Sequence, residues 1–420
     1  MVSLYGVLAA FFPVAYLWAT YEDMVGEWTQ FWFFATAFLF FLRLSTVRSP
    51  YRWYFILLTL SLFYVSGEEI SWGQRLFSFS TPELLQQHNL QHEANLHNLF
   101  TGPVATPLKR GIEYVMAAGM VAYGALYPWA VRWRWPLALW FDRLGIAPPP
   151  RFLWPFFGLA AVLELGPLHF NEAELAEVLV ASALAFMAIT YWHAHRADGE
   201  EAAGSGVHLQ LTRRIGVATV VVVLLAAAST YASYATPAAR ARVDNRIYNG
   251  FEKFAGRYER YGRWATAAEL YTRVHEREPA RCSILRKLAN CESRLGDDEA
   301  AKNHLVAAIT LDLKRIAEKR QRGRESVSGN LSLARSYRQL GNRKTSEIHL
   351  QRALQIARGR VERQPQSGSA IYWLGRCYEL QGDRAAALRA YRRAMELRPT
   401  RVEYKKAYYR LQQDKAENGS

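Results

Sequence analysis

Seven apolar segments fall between residues 3 and 236, at 3–21, 28–43, 52–67, 110–131, 152–170, 174–193 and 214–236. A bilayer core is about 30 Å thick and takes roughly 17–20 residues of helix to cross. Inside it the backbone must satisfy its own hydrogen bonds, so only helices and closed barrels span. These runs read as spanning helices, several of them near the lower length limit. The expectation is an all-α chain whose residues 1–237 form a polytopic membrane domain of about seven spans. Its opening, "MVSLYGVLAAFFPVAYLWATYED", has no basic start and no small-residue cleavage site, and reads as a first span, not a signal peptide.

Loop charge sets the expected orientation, because basic residues concentrate on the cytoplasmic side. A cytoplasmic N-terminus assigns ten arginines to inner loops: Arg43, Arg48, Arg52, Arg132, Arg134, Arg143, Arg151, Arg196, Arg213 and Arg214. Only Arg75, Lys109 and Arg110 then face outward. Seven crossings would put the remainder of the chain in the periplasm, the host membrane being a bacterial inner membrane.

The same topology gathers polar groups at the outer face. "SGEEISWGQR" closes the third segment with Glu68 and Glu69, followed by Gln74 and Arg75. Adjacent carboxylates at a membrane boundary repel and resist desolvation unless a cation, a shared proton or Arg75 offsets them. Next comes "STPELLQQHNLQHEANLHNLF", where Ser80 and Glu83 form a capping box and Pro82 suits a first turn, so a helix is expected from 81 toward 98. On it Glu93 and His97 share a face and could bind a divalent metal such as zinc with Glu69; His92, Asn95 and Asn98 are close by in sequence. The plainer reading is an amphipathic interfacial helix. Glu164 lies within the fifth segment and Glu177 one turn into the sixth, and carboxylates at such depth are functional candidates. Asn171, Glu172 and Glu174 suit a helix N-terminus, Asn171 as cap. "GEEISWGQR…NLHN" resembles strings in uncharacterised bacterial multi-pass membrane proteins, which implies no chemistry.

The C-terminal part differs in kind. Residues 1–237 hold 13 Lys/Arg against 16 Asp/Glu, a net of −3, whereas residues 238–420 hold 39 against 21, a net of +18. Such a surface favours anionic partners. Its last full period, "SGSAIYWLGRCYELQGDRAAALRAYRRAMELRPT", places Leu374, Gly375, Tyr378, Gly382, Ala387, Tyr391, Ala394 and Pro399 at the positions of a tetratricopeptide repeat, which it resembles over its whole length. The turn glycine recurs at Gly262, Gly296, Gly341 and Gly382. The last two gaps exceed 34 residues, so helices near 311–326 and 355–366 should be lengthened. The resemblance implies a solenoid over 238–415, closed by a capping helix, that binds protein segments and does no catalysis; 416–420 reads as a disordered tail. The basic run "LKRIAEKRQRGRES" is a solvated helix face or a contact for anionic lipid headgroups. Nucleic acid is not expected of a periplasmic domain. Cys282 and Cys291 lie nine apart on one expected helix, roughly 13 Å along its axis, too far to bridge.

Two functions fit. One is a membrane-anchored interaction scaffold carrying an outward polar site. The other is a metal-assisted hydrolase acting on a lipid or peptide at the outer interface, with Glu69, Glu93 and His97 as ligands, Glu68 as general base and Arg75 assisting.

Overall fold

The structure, a computed structural model, describes residues 2–21, 24–73, 107–197, 205–235, 237–322 and 326–417. All regular structure among them is helical, and the chain divides into two compact units, Met1–Gly250 and Phe251–Ser420.

The first unit contains α1 (Val2–Phe11), α2 (Pro13–Thr20), α3 (Val25–Thr46), α4 (Arg52–Glu69) and α5 (Pro107–Gly119). A wide turn, Met120–Leu126, carries α5 into α6 (Tyr127–Arg132); α7 (Pro136–Arg143), α8 (Trp154–Glu164), α9 (Glu172–Ala197) and α10 (Ser205–Ala232) follow, and α11 (Pro237–Arg260) begins in this unit and ends in the second. Four stretches among the described residues are long and apolar enough to cross a membrane: Pro13–Thr46, Arg110–Arg132, Glu172–Arg196 and Leu209–Ala232. The expected count of seven is not reached, for local reasons. Phe12 (φ −132°, ψ 68°) divides the first segment into α1 and α2. α4 has 18 residues but includes Arg52, Glu68 and Glu69. α8 has only 11 residues, a length of about 16 Å.

Direction follows from side-chain pairs. Phe41 meets Phe55 and Phe38 meets Phe63, so α3 and α4 are antiparallel. Gln30 meets Glu174 near the starts of α3 and α9, and Trp32 meets Ser229 near the start of α3 and the end of α10. Alanines of α9 (Ala181, Ala185 and Ala188) are buried and let α3 approach closely, with Phe33, Phe41, Phe55, Phe157 and Met187 filling the core. The helix ends therefore sort into two sets. One end collects the starts of α3 and α9 and the ends of α4, α8 and α10. The other collects all ten arginines from Arg43 to Arg214 counted above as one side. At that second end four aromatic donors hold the loop after α7 and a fifth holds α7 itself. Tyr51 donates to Asp142 Oδ1 (2.8 Å), Trp53 to the Leu144 carbonyl (2.7 Å), Tyr127 to that of Ile146 (2.7 Å), Tyr123 to Ala147 (2.9 Å) and Tyr191 to Pro148 (2.8 Å). Each combines an apolar ring with a polar tip that donates.

The second unit stacks helix pairs: α12 (Trp264–Arg277) behind the end of α11, α13 (Cys282–Leu295) with α14 (Asp298–Gln321), α15 (Val327–Gln339) with α16 (Arg343–Arg363), α17 (Gly368–Gln381) with α18 (Arg384–Leu397), then α19 (Val402–Glu417). The long glycine gaps are absorbed by α14 and α16, 24 and 21 residues against 14 in α18. Each turn glycine is left-handed, with φ of 68° at Gly262, 85° at Gly296, 75° at Gly341 and 93° at Gly382, where a side chain would be strained. In three of the four turns the next residue caps the following helix: Asp297 accepts from Ala300 N–H (3.0 Å), Asn342 from Thr345 (3.1 Å) and Asp383 from Ala386 (2.9 Å). The first turn has Arg263 there, with a similar backbone (φ −86°, ψ 67°) and no side-chain cap. Tyr271 and Tyr391, nine residues past Gly262 and Gly382, are fully buried and donate to Glu259 and Glu379; Leu305 and Leu350 hold the same place in the middle pairs. The three cysteines, Cys282, Cys291 and Cys377, are buried and free.

These joints generate a test. In urea unfolding of residues 251–417, Asp383→Ala should cost about 1 kcal/mol, within the usual 0.5–2 for losing a cap, whereas Arg263→Asp should stabilise by a similar amount. An Arg263→Asp protein no more stable than the parent would show that the first turn does not share the joint geometry.

Candidate functional site

The carboxylate end of the first unit is built from four helices. Glu27 lies in the first turn of α3, Glu69 in the last turn of α4, Glu164 at the end of α8 and Glu177 in α9. Glu69, Glu164 and Glu27 are the charges that act on Glu177. Glu177 is exposed at this end. Carboxylates gathered from separate helices in an apolar bundle stay together only with protons or positive charge among them.

Around them the loops are pinned by polar side chains. Gln30 Nε2 donates to the Glu174 carbonyl at 2.9 Å and lies 3.5 Å from Glu174 Oε2. Tyr16 donates to the Phe170 carbonyl (2.9 Å), and Glu172 accepts from the backbone N–H groups of Leu168 and Phe170. Asn171 holds a neighbouring helix end. It sits at φ 72° and donates its side-chain amide to the Thr20 carbonyl, tying α2 to the α8–α9 loop.

Glu68 and Glu69 diverge in role. After α4 the chain reverses through Ser71 (φ 46°), Trp72 (φ 52°) and Gly73 (φ 87°), three consecutive left-handed residues. The reversal folds Trp72 back onto α4, where its indole N–H donates to Glu68 Oε1 at 2.6 Å. Gly67 makes this possible, since a Cβ there would stand 2.9 Å from the indole ring. Glu68 is buried and accepts this hydrogen bond. Glu69 remains with the cluster.

Of the sequence candidates, Glu69, Glu164 and Glu177 come together. Gln74, Arg75, His92, Glu93, Asn95, His97 and Asn98 lie outside the described residues, as does the helix expected from 81. Among the described residues no three His, Cys, Asp or Glu are grouped so as to hold a metal ion. Sequence reading missed Glu27 and Gln30. Glu27 fell one residue before the segment drawn at 28, and Gln30 was passed over as the lone amide in "WTQFWFF", although a buried amide within an apolar helix is a signal in itself.

The second unit offers a different surface. A cleft of about 410 Å³ between α13 and α15 is lined by Arg286, Lys287, Arg335 and Arg338, with Glu259 as its one acid. Arg286, Arg335 and Arg376 stand on the first helices of successive pairs and act on one another. Burial, then repulsion from Arg376, pulls the Arg335 guanidinium below its ordinary pKa, with Arg286 adding to the effect and Glu379 opposing it. Arg376 is 3.9 Å from Glu379. Glu379 also takes Arg410 at 2.6 Å, so this acid is already engaged. Arg286 pairs with buried Asp312 at 2.9 Å. Arg335 is the charge in this row with no ion-pair partner among the described residues.

Comparison with known proteins bears on this second unit. Residues 327–400, from α15 through α18, match a tetratricopeptide repeat family model. Among solved structures, MamA protein is similar at 18% identity over 40% of this chain and 82% of that one, with a TM-score of 0.19. A monomeric mutant of IFIT1 with Gppp-AAAA is similar at 14% identity, over 92% of this chain and all of that one, with a TM-score of 0.18. No curated protein matches the chain.

The cluster can be tested by a double-mutant cycle on thermal unfolding of the detergent-solubilised protein. Glu69→Gln and Glu177→Gln should be non-additive by about 0.5–3 kcal/mol, because each removes a charge that the other feels. Additivity to within about 0.3 kcal/mol would separate the two groups.

Proposed function

We propose that this tetratricopeptide repeat protein is a membrane-anchored scaffold whose repeats capture an acidic segment of a partner protein. One observation carries the reading: the row Arg286, Arg335 and Arg376 along the first helices of successive pairs, with Arg335 left for an outside anion. Helical-pair stacks bind extended segments on the surface made by these helices. Guanidinium groups spaced along it suit carboxylate side chains, which they can grip bidentately. The net +18 of residues 238–420 would speed encounter with such a segment.

Membrane anchoring is supported by the four apolar stretches and by the aromatic donors at one helix end. The orientation proposed here uses the helix ends, not the span count. Ten arginines at one end mark it as cytoplasmic under the positive-inside rule. α10 finishes at the opposite end, so the chain beyond residue 235 begins on the outer side, the periplasm of a bacterial inner membrane. The carboxylate cluster would then face the compartment in which the repeats begin. The hydrolase reading gains no support from the described residues.

Peptide arrays test the partner class. Residues 251–417 should bind Asp/Glu-rich 12-residue segments in preference to Lys/Arg-rich ones, and Arg335→Glu should weaken that binding at least tenfold. Equal signal on both peptide classes would remove the acidic-segment reading. For orientation, a periplasm-active reporter fused after Ala235 should be active and one fused after Asp142 silent; the reverse pattern would overturn the assignment.

A further inference from the structure

A groove of about 940 Å³ runs between α3, α9 and α10 and belongs to neither the carboxylate end nor the repeats. Its origin is a helix packed mainly on one neighbour. α10 follows α3, with Trp32 Nε1 donating to Ser229 Oγ at 3.0 Å, and makes little contact with α9. The gap has apolar walls, including Leu39, Phe40, Ile189, Val217, Val221 and Leu225. Its mouth at the arginine-rich end is cationic: Arg43, Arg196, Arg213 and Arg214 all line it, and no Asp or Glu among the described residues does. Arg43 lies over Phe40 (5.9 Å) and Arg196 over Trp192 (5.1 Å), so both are held beside the groove by ring contacts. Along α3 the lining extends from Trp32 to Arg43, about 16 Å, which is close to one leaflet of a hydrocarbon core of about 30 Å.

We infer that this groove holds one anionic phospholipid of the leaflet at the arginine end, its phosphate among Arg43, Arg196, Arg213 and Arg214 and an acyl chain along α10. The two halves of the groove select the ligand jointly. A soluble phosphate would satisfy the arginines but leave the walls empty. A zwitterionic lipid would fill the walls but bring its own cation to a mouth that already holds four. Guanidinium forks match phosphate oxygens bidentately, and basic pockets between membrane helices hold anionic headgroups. The inference rests on the membrane-anchored reading. Carbonate-resistant sedimentation of the protein with membranes checks that reading separately.

Native mass spectrometry of the full chain in detergent, supplied with equal phosphatidylglycerol and phosphatidylcholine, tests the inference. One phosphatidylglycerol should be retained with at least tenfold preference. Arg213→Gln/Arg214→Gln should lower that preference about tenfold or more. Arg132→Gln/Arg134→Gln, at the same end but outside the groove, should leave it unchanged. Ala218→Phe fills the walls and spares the arginines, and should also expel the lipid; it serves as the deciding variant if the arginine pair does not yield folded protein. Equal retention of both lipids by the parent, or full preference in the groove variants, would overturn the proposal. Displacement of the lipid by millimolar inorganic phosphate would overturn it too, by reducing the site to a simple anion pocket.

Discussion

A peptide group that enters an apolar medium without a hydrogen-bond partner costs several kcal/mol, and the first unit is arranged around avoiding that cost. Helices solve the problem for their own interiors and leave it at their ends. The two ends of this unit solve it differently. At one, tyrosines and a tryptophan reach from α4, α6, α9 and the turn before α6 to the carbonyls of 144–148. At the other, acids and amides do the work, with Glu172 holding two loop N–H groups and Asn171 holding the end of α2. The ten inner-loop arginines and the carboxylate cluster are thereby segregated.

Such segregation leaves cationic and anionic regions that do not neutralise one another. Ten arginines of the first unit stand at one end and Glu27, Glu69, Glu164 and Glu177 at the other. In the repeats, acids are spent internally, Glu379 on Tyr391 and Arg410, Glu252 on Lys287 and Arg281. Burial pushes the Glu252 and Glu379 carboxyls up, but those partners outweigh it and hold both below the ordinary value. What the internal pairs leave over is positive.

The repeats were legible from sequence because their signals are local and recur: a glycine that must be left-handed, a capping residue after it, small residues at set intervals. The surplus in the glycine spacing even identified which helices are long. The first unit was legible in class and not in detail. Apolar length alone cannot show that Phe12 breaks a helix ahead of Pro13 or that α8 stops after eleven residues ahead of Gly166 and Pro167. The same holds for Glu68 and Glu69. Identical residues side by side carry no mark of which one a tryptophan four positions on will claim. Glu27 escaped because a glutamate in a first helical turn already has a sufficient local explanation in the helix dipole. Convergence across α3, α4, α8 and α9 is a tertiary fact.

The repeated joint of left-handed glycine and capping residue also governs how error propagates along the second unit. Each joint sets the angle between one helix and everything that follows it. A few degrees lost at Gly382 turn only α18 and α19. The same loss at Gly262 swings every later pair through an arc, as at the base of a lever. The first joint in the chain is the one without a side-chain cap, so the stack is least braced where its reach is longest. Small bending at Gly262 would sweep the row of arginines as a body while leaving the spacing between them intact.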